Sequence, residues 1–144
     1  MRRHLLDTMV QMAFYRGKVP AKWARPWRDV REGRRSLVAV ESRVAELFSR
    51  IARTDGEEAA RDRILWVKGL RRTEVVPADD NIAMAAGRLY ARHNGEHGVS
   101  LADCFALAVA RERRAEVLTA DRGMRDCARA EGVSVSWLPK GEVS

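Results

Sequence analysis

Three aspartates occupy positions at which an open parallel α/β sheet binds its ligands. Asp7 follows the first predicted strand, Asp121 lies two residues past the fourth, and Asp103 falls in the first turn of a markedly apolar helix. Acids at the carboxyl ends of such strands are candidates for a ligand site. Asp103 is the hardest to explain otherwise, because a carboxylate in apolar surroundings is costly unless it is paired or bound to a metal. A cation shared by several acids would offset that cost.

Each aspartate also has a purely structural interpretation. Asp7 can be an ordinary strand-end residue, with Thr8 capping the next helix. Asp121 can be the N-cap of the helix that follows it, and Asp103 can be the third residue of a capping box opened by Ser100. Taken singly, the three residues leave both interpretations open.

The elements that must position these acids alternate between short strands and helices. Strands are predicted over His4 to Leu6, Leu37 to Val40, Thr73 to Val76, Val117 to Thr119 and Val133 to Leu138. Helices are predicted over Thr8 to Arg16, Lys22 to Arg31, from a Ser42 cap through Ile51, Glu57 to Leu70, Asp79 or Asp80 to His93, Leu101 to Arg113, and Arg122 to Glu131. This alternation indicates an α/β fold with a mostly parallel sheet and helices on both faces.

The basic residues are concentrated in one segment. From Arg16 to Arg35 there are eight basic residues and two acidic ones, which supply +6 of a net charge of +7, and Trp23 and Trp27 lie among them. Guanidinium groups pair with phosphates and aromatic rings stack on unpaired bases, so the segment suits a nucleic acid. The alternative is a solubilising helix whose two tryptophans pack against the body of the protein.

The composition excludes several other classes of protein. With 144 residues, 46% hydrophobic and 33% charged, the chain has the size of one folded domain rather than of a disordered or fibrous protein. Two cysteines without a zinc-like spacing are expected to be small core residues. No apolar stretch is long enough for a membrane helix, and Asp7 interrupts the N-terminus before the apolar region of a signal peptide can develop. A cytoplasmic protein is therefore expected.

Four short motifs recur along the chain in the order and approximate spacing of a known family. They are Leu5-Leu6-Asp7-Thr8, Val44-Ala45-Glu46-Leu47, Ser100-Leu101-Ala102-Asp103 and Leu118-Thr119-Ala120-Asp121. In these the sequence resembles the PIN domain, and most closely its small VapC-type toxin members. The resemblance covers almost the whole chain and implies one PIN-like domain over residues 1–144. The implied fold is a three-layer sandwich around a short, mostly parallel sheet.

The same resemblance implies the residues of a metal site. An acidic quartet would hold one or two Mg²⁺ or Mn²⁺ ions, and it consists of Asp7, Glu46, Asp103 and Asp121. Thr119 would support the last motif, and we group it with the substrate-binding residues. Carboxylate oxygens suit these hard ions. A bound ion would activate a water molecule for phosphodiester hydrolysis and offset charge on the leaving oxygen.

Glu46 is the least direct of these assignments. On a helical wheel it points about 150° away from the centre of the apolar stripe that includes Leu47 and Ile51, which is typical of a solvated residue. Glu41, at the strand-to-helix junction, is the alternative. Two further positions depart from the family pattern, because Met9 stands where Asn or Ser is common and Met124 where an aromatic residue is common.

The resemblance implies a metal-dependent endoribonuclease, the toxin of a toxin-antitoxin pair. Its partners would be an RNA substrate, a small VapB-like antitoxin and a second copy in a homodimer, with no membrane. Arg25, Arg28 and Arg31 are then expected to bind RNA along a basic groove that leads to the acidic site. The alternative is a non-catalytic RNA-binding or assembly protein on a PIN scaffold. A haloacid-dehalogenase-like phosphatase is disfavoured, because Met9 replaces its second aspartate.

Overall fold

The strands of the protein lie where the alternation predicts them. The computed structural model describes residues 1–144, and its strands are β1 (Arg3–Leu6), β2 (Ser36–Val40), β3 (Thr73–Val76), β4 (Glu116–Thr119) and β5 (Val135–Trp137). Its helices are α1 (Thr8–Tyr15), α2 (Ala21–Arg31), α3 (Glu41–Asp55), α4 (Glu57–Lys68), α5 (Asp80–His97), α6 (Leu101–Arg113), α7 (Arg122–Ala130) and α8 (Lys140–Val143). All five predicted strands are therefore confirmed.

The strands form one sheet in the order β3-β2-β1-β4-β5, and every pairing is parallel. The central strand β1 pairs on both sides, with Leu5 opposite Val38 of β2 and opposite Val117 of β4. The carboxyl ends of all five strands consequently meet at one edge of the sheet, and Asp7 follows the middle strand there. The predicted α/β architecture is confirmed, with a wholly parallel sheet.

Helices cover both faces of the sheet and bury two main apolar clusters. One cluster of 20 buried residues joins the sheet to α5, α6 and α7. The other, of 12 buried residues, joins it to α1, α2, α4 and α8. The α3–α4 hairpin adds a smaller cluster around Leu47 and Ile51. This is the predicted three-layer arrangement.

Trp23 and Trp27 belong to the second cluster, with side chains only 1% and 6% exposed. The indole N–H of Trp23 donates to the Ser136 hydroxyl at 2.9 Å, and the Phe14 ring packs against both tryptophans. Neither ring can stack on a nucleic acid base. The two tryptophans therefore pack against the body of the protein, and the stacking on bases expected of them is wrong. Binding of a nucleic acid by the basic residues themselves stays a prediction.

Two helix starts differ from the prediction. Asp7, rather than Thr8, is the N-cap of α1, and its carboxylate accepts the Thr8 amide at 2.8 Å. Helix α3 begins at Glu41 with Val40 as its N-cap, so Ser42 is already inside the helix. In both places the helix begins earlier than the predicted cap allows, because the residue at or just after the end of the strand is itself the N-cap.

Helix α5 is longer than predicted, and helix α2, predicted over Lys22 to Arg31, contains a proline. Helix α5 continues four residues past its predicted end at His93, to His97, and stops at Gly98. Gly98 has φ +64°, the left-handed conformation that commonly ends helices. Helix α2 runs through Pro26, because burial of Trp23 and Trp27 on either side holds it in place.

The structure also bears on the two cysteines and on the expected absence of a membrane helix. Cys104 and Cys127 are free and buried, which confirms their prediction as core residues, and burial raises the pKa of the Cys104 thiol to about 11. None of the helices combines the length and the apolar character that crossing a bilayer requires.

Candidate functional site

A cavity of about 380 Å³ opens at the carboxyl edge of the sheet, between β1, α3, α6 and the start of α7. All four acids of the sequence motifs line it, namely Asp7, Glu46, Asp103 and Asp121. They come from four separate elements, and only the parallel topology brings them together. The basic residues of the lining are Arg43, Arg50 and Lys140.

Asp7 is the most buried of the four acids, with 8% of the residue exposed. One carboxylate oxygen accepts the Thr8 amide at 2.8 Å, and the other accepts the Thr119 hydroxyl at 2.8 Å. Burial raises the pKa of Asp7 above its ordinary value, and the nearby Arg43 charge and the Thr119 hydrogen bond act in the opposite direction. The carboxylate is therefore fixed in position by the ends of two neighbouring strands.

Thr119 links two of the acids. Its hydroxyl donates to Asp7 and accepts the backbone amide of Asp121 at 3.0 Å. The residue is fully buried, so it cannot contact a substrate as its assignment to the substrate-binding residues implied. The structure instead makes Thr119 a positioning residue for Asp7 and for the start of α7.

Asp103 and Asp121 each take part in capping a helix and also line the cavity, so both interpretations that the sequence left open hold for them. Asp103 forms a capping box with Ser100, yet its Oδ1 also accepts an Arg43 guanidinium N–H at 2.6 Å within the site. Asp121 is the N-cap of α7 and accepts the Met124 amide at 3.0 Å while lining the cavity. A helix N-cap holds a carboxylate at a fixed place, so capping and a role in the site are compatible here.

Glu46 lies on the cavity side of α3, with 31% of its side chain exposed. Leu47 and Ile51 point into the core from the same helix, which explains why Glu46 lies off the apolar stripe. Glu41 is exposed and does not line the cavity. The structure thus places Glu46, and not Glu41, among the other acids.

Arg43 is the residue of this site that the sequence analysis missed. Its side chain is 6% exposed, and its Nη2 lies 2.6 Å from Asp103 Oδ1 and 3.5 Å from Asp7 Oδ1. Its Nη1 lies 2.9 Å from Glu46 Oε2. The available signal was the spacing of Arg43 from Glu46 and Leu47, which places it on the buried side of the first turn of α3.

The acids fit a divalent cation in chemical type but not in their present positions. Four carboxylates offer the oxygen ligands that Mg²⁺ and Mn²⁺ prefer. No three of them, however, lie close enough together to hold one ion, and the Arg43 guanidinium occupies the space between Asp7, Glu46 and Asp103.

One residue of the basic segment, Lys22, lies near the carboxyl edge of the sheet. Lys22, at the start of α2, donates to the backbone oxygen of Trp137 at the carboxyl end of β5. Arg25, Arg28 and Arg31 are exposed on α2, and none of them lines the acidic cavity. The groove expected along this helix stays a prediction.

Comparison with known proteins agrees with the fold and the motifs. The sequence matches the family model of the PIN domain over residues 4–130, and the chain belongs to that family. Its structural neighbours include VapBC and VapC toxin structures, as the motifs indicated. No curated protein matches the sequence significantly.

Three solved structures illustrate the similarity. VapBC2 from Rickettsia felis, bound to a promoter DNA fragment, has a TM-score of 0.70 at 13% identity, over 94% of this chain and 98% of that one. FitAcB from Neisseria gonorrhoeae has a TM-score of 0.61 at 25% identity, over 92% and 95%. VapC20 from Mycobacterium tuberculosis, described as a sarcin-ricin loop cleaving toxin, has a TM-score of 0.63 at 18% identity, over 79% and 86%.

Proposed function

We propose that the protein is a VapC-like endoribonuclease that hydrolyses RNA phosphodiesters at the acidic cavity. The observation that carries this proposal is the meeting of Asp7, Glu46, Asp103 and Asp121 in one cavity at the carboxyl edge of a PIN fold. The neighbour described as a sarcin-ricin loop cleaving toxin supports RNA as the substrate class.

The proposed cofactor is Mg²⁺ or Mn²⁺. When bound, such an ion supplies activation of water and compensates negative charge at the phosphate. The chain's own residues hold the ligands: Thr8 and Thr119 fix Asp7, and the Met124 amide fixes Asp121. Fixed ligands reduce the reorganisation needed during reaction.

The cavity also offers contacts for the RNA backbone. Arg50 and Lys140 line it and carry positive charge at its rim, where they can pair with phosphates flanking the reacting one. Such contacts give affinity without base specificity.

The proposed partners follow from the structural neighbours. Several of these are toxin-antitoxin complexes, among them VapBC from Salmonella typhimurium bound to DNA and FitAB bound to a DNA fragment. We therefore propose a small VapB-like antitoxin as partner. The homodimer that the family resemblance implies stays a prediction.

A second candidate function is a non-catalytic RNA-binding or assembly protein. The contacts of Arg43 with three of the acids favour it, because a guanidinium compensates the charge that a metal would otherwise compensate. Metal-dependent RNA cleavage separates the two functions.

Cleavage of tRNA and rRNA by the purified protein is expected to require Mg²⁺ or Mn²⁺ and to stop when a chelator is added. The reason is that the nucleophile in the proposed reaction is a water molecule, which the bound ion would activate. Gel analysis of the RNA with added metal, with chelator, and with metal restored measures this directly. Cleavage that continues in excess chelator would contradict the proposed chemistry, and no cleavage under any condition would favour the non-catalytic function.

Replacing Arg25, Arg28 and Arg31 together by alanine is expected to weaken RNA binding, mainly at low salt. Each phosphate contact with a single strand contributes about 0.7 to the slope of log affinity against log salt, so loss of three contacts would flatten the slope by about 2. Fluorescence anisotropy with labelled RNA at several salt concentrations measures the slope.

The matched control replaces Arg88, Arg92 and Arg129, which are exposed on α5 and α7 over the opposite face of the sheet. It removes the same formal charge, so a slope that changes equally in both triple variants reflects net charge alone. An unchanged slope for the α2 variant, with antitoxin binding lost instead, would assign the basic segment to the protein partner.

A further inference from the structure

The Arg43 guanidinium is the cation nearest to the acids of the cavity. Three carboxylates surround it, from Asp7, Glu46 and Asp103, at 3.5, 2.9 and 2.6 Å. One positive charge among three negative ones leaves the group with an excess of negative charge, and Asp121 lines the same cavity. The cluster is thus only partly compensated.

Other interactions hold Arg43 weakly. Its Nε is buried without a hydrogen-bond partner, and its remaining contact is with the Thr8 hydroxyl at 3.5 Å. Buried polar groups of structural residues are normally satisfied, so the position of this side chain depends mainly on the three carboxylates.

A divalent ion and this guanidinium compete for the same ligands. The ion carries twice the charge and takes the same oxygens, and once it is bound the like charge of Arg43 is repelled. The cavity is open to solvent beside Glu46, whose side chain is 31% exposed. The Arg43 side chain can therefore move towards solvent on the side of Glu46.

We propose that Arg43 is the resident cation of the acidic cavity and that a divalent ion binds only by displacing its guanidinium. The inference rests on the proposed function, because it concerns the metal of that same site. In the metal-free protein Arg43 then supplies the partial charge compensation of the cluster, and it is a determinant of metal affinity.

The test measures Mn²⁺ affinity by titration calorimetry in the wild-type protein and in Arg43→Met. Methionine keeps an unbranched apolar stem but removes the charge. We expect Arg43→Met to bind Mn²⁺ at least about tenfold more tightly, since the competing charge is gone. We also expect a lower Tm than wild type without metal and a larger rise in Tm when Mn²⁺ is added.

Arg50→Met is the matched control. Arg50 lines the same cavity and contacts Glu46 at 3.5 Å, but its side chain is 49% exposed. Its removal is expected to change Mn²⁺ affinity less than about threefold, because exposed charges are screened. Equal gains in both variants, or no gain in Arg43→Met, would overturn the displacement. Absence of Mn²⁺ binding in all three proteins would overturn the proposed metal chemistry, and the displacement with it.

A measurement on the wild-type protein covers the case in which Arg43→Met does not fold. The Nε–H signal of Arg43 is followed by NMR during titration with Mg²⁺ in protein labelled with ¹⁵N-arginine and ¹³C-aspartate, so that the aspartate carboxyl signals are observed as well. Displacement is expected to move this signal from a protected to a rapidly exchanging state as the site saturates. A signal that keeps its position and protection while the carboxyl signals of Asp7 and Asp103 shift would show that the ion binds without displacing Arg43.

Discussion

Asp121→Asn is expected to lower the rate of RNA cleavage at least about 100-fold, because even residues that only support metal ligands contribute about 10- to 100-fold to affinity or activity. The fold should survive, since asparagine is as good an N-cap as aspartate and can still accept the Met124 amide of α7. Measuring kcat/KM for RNA cleavage together with Tm separates the two effects.

Asp79→Asn is the control for this experiment. Asp79 has the same capping role at the start of α5, where it accepts the Ile82 amide at 2.9 Å, and it does not line the cavity. Both variants exchange an N-cap carboxylate for an amide, so only a charge needed at the site distinguishes them. Full activity in Asp121→Asn would remove Asp121 from the proposed site.

Trp23→Ala is expected to lower the free energy of unfolding by about 3–5 kcal/mol, the usual cost of truncating a large buried aromatic residue. The side chain is 1% exposed, packs against Phe14 and donates its indole N–H to Ser136, so its loss opens a cavity and leaves a polar group without its partner. Urea unfolding followed by circular dichroism gives the difference.

Trp66→Ala provides the comparison within the same group of aromatic residues. Trp66 contacts the Trp27 ring, but it is 43% exposed and stacks against the Arg63 guanidinium. Its truncation is expected to cost about 1 kcal/mol, the value typical of an exposed cation–π contact. If the two variants were equally destabilised, the structural role assigned to Trp23 within the basic segment would be wrong.

The fold was the part most accessible from the sequence. Short, mostly apolar runs such as Leu37 to Val40 and Val117 to Thr119 are bounded by polar residues, and the helices between the strands have an apolar face. In a parallel sheet, an acid just past a strand lies at the edge where ligands bind. Asp7 and Asp121 could therefore be selected before any side chain was located.

Side-chain partners were less accessible, because they depend on contacts between residues far apart in the chain. The spacing of Arg43 from Leu47 indicates the buried side of α3, but its partner Asp103 lies 60 residues away and could not be identified from the sequence. Thr119 could be associated with the last motif, but not with its bond to Asp7. The tryptophans of the basic segment were equally compatible with stacking and with packing until the core was known.

The order of the strands along the chain differs from their order in the sheet. Central strand β1 has β4 as one of its two neighbours, and the hydroxyl that holds Asp7 lies 112 residues further along the chain. Pairing over such a separation is slow, because a long loop must close before the contact forms. A nascent chain that has not yet reached Glu116 lacks both this neighbour of β1 and the residues that fix the acidic cluster. A ribosome making the protein would thus be exposed to an assembled acidic site only after β4 and the start of α7 have been synthesised.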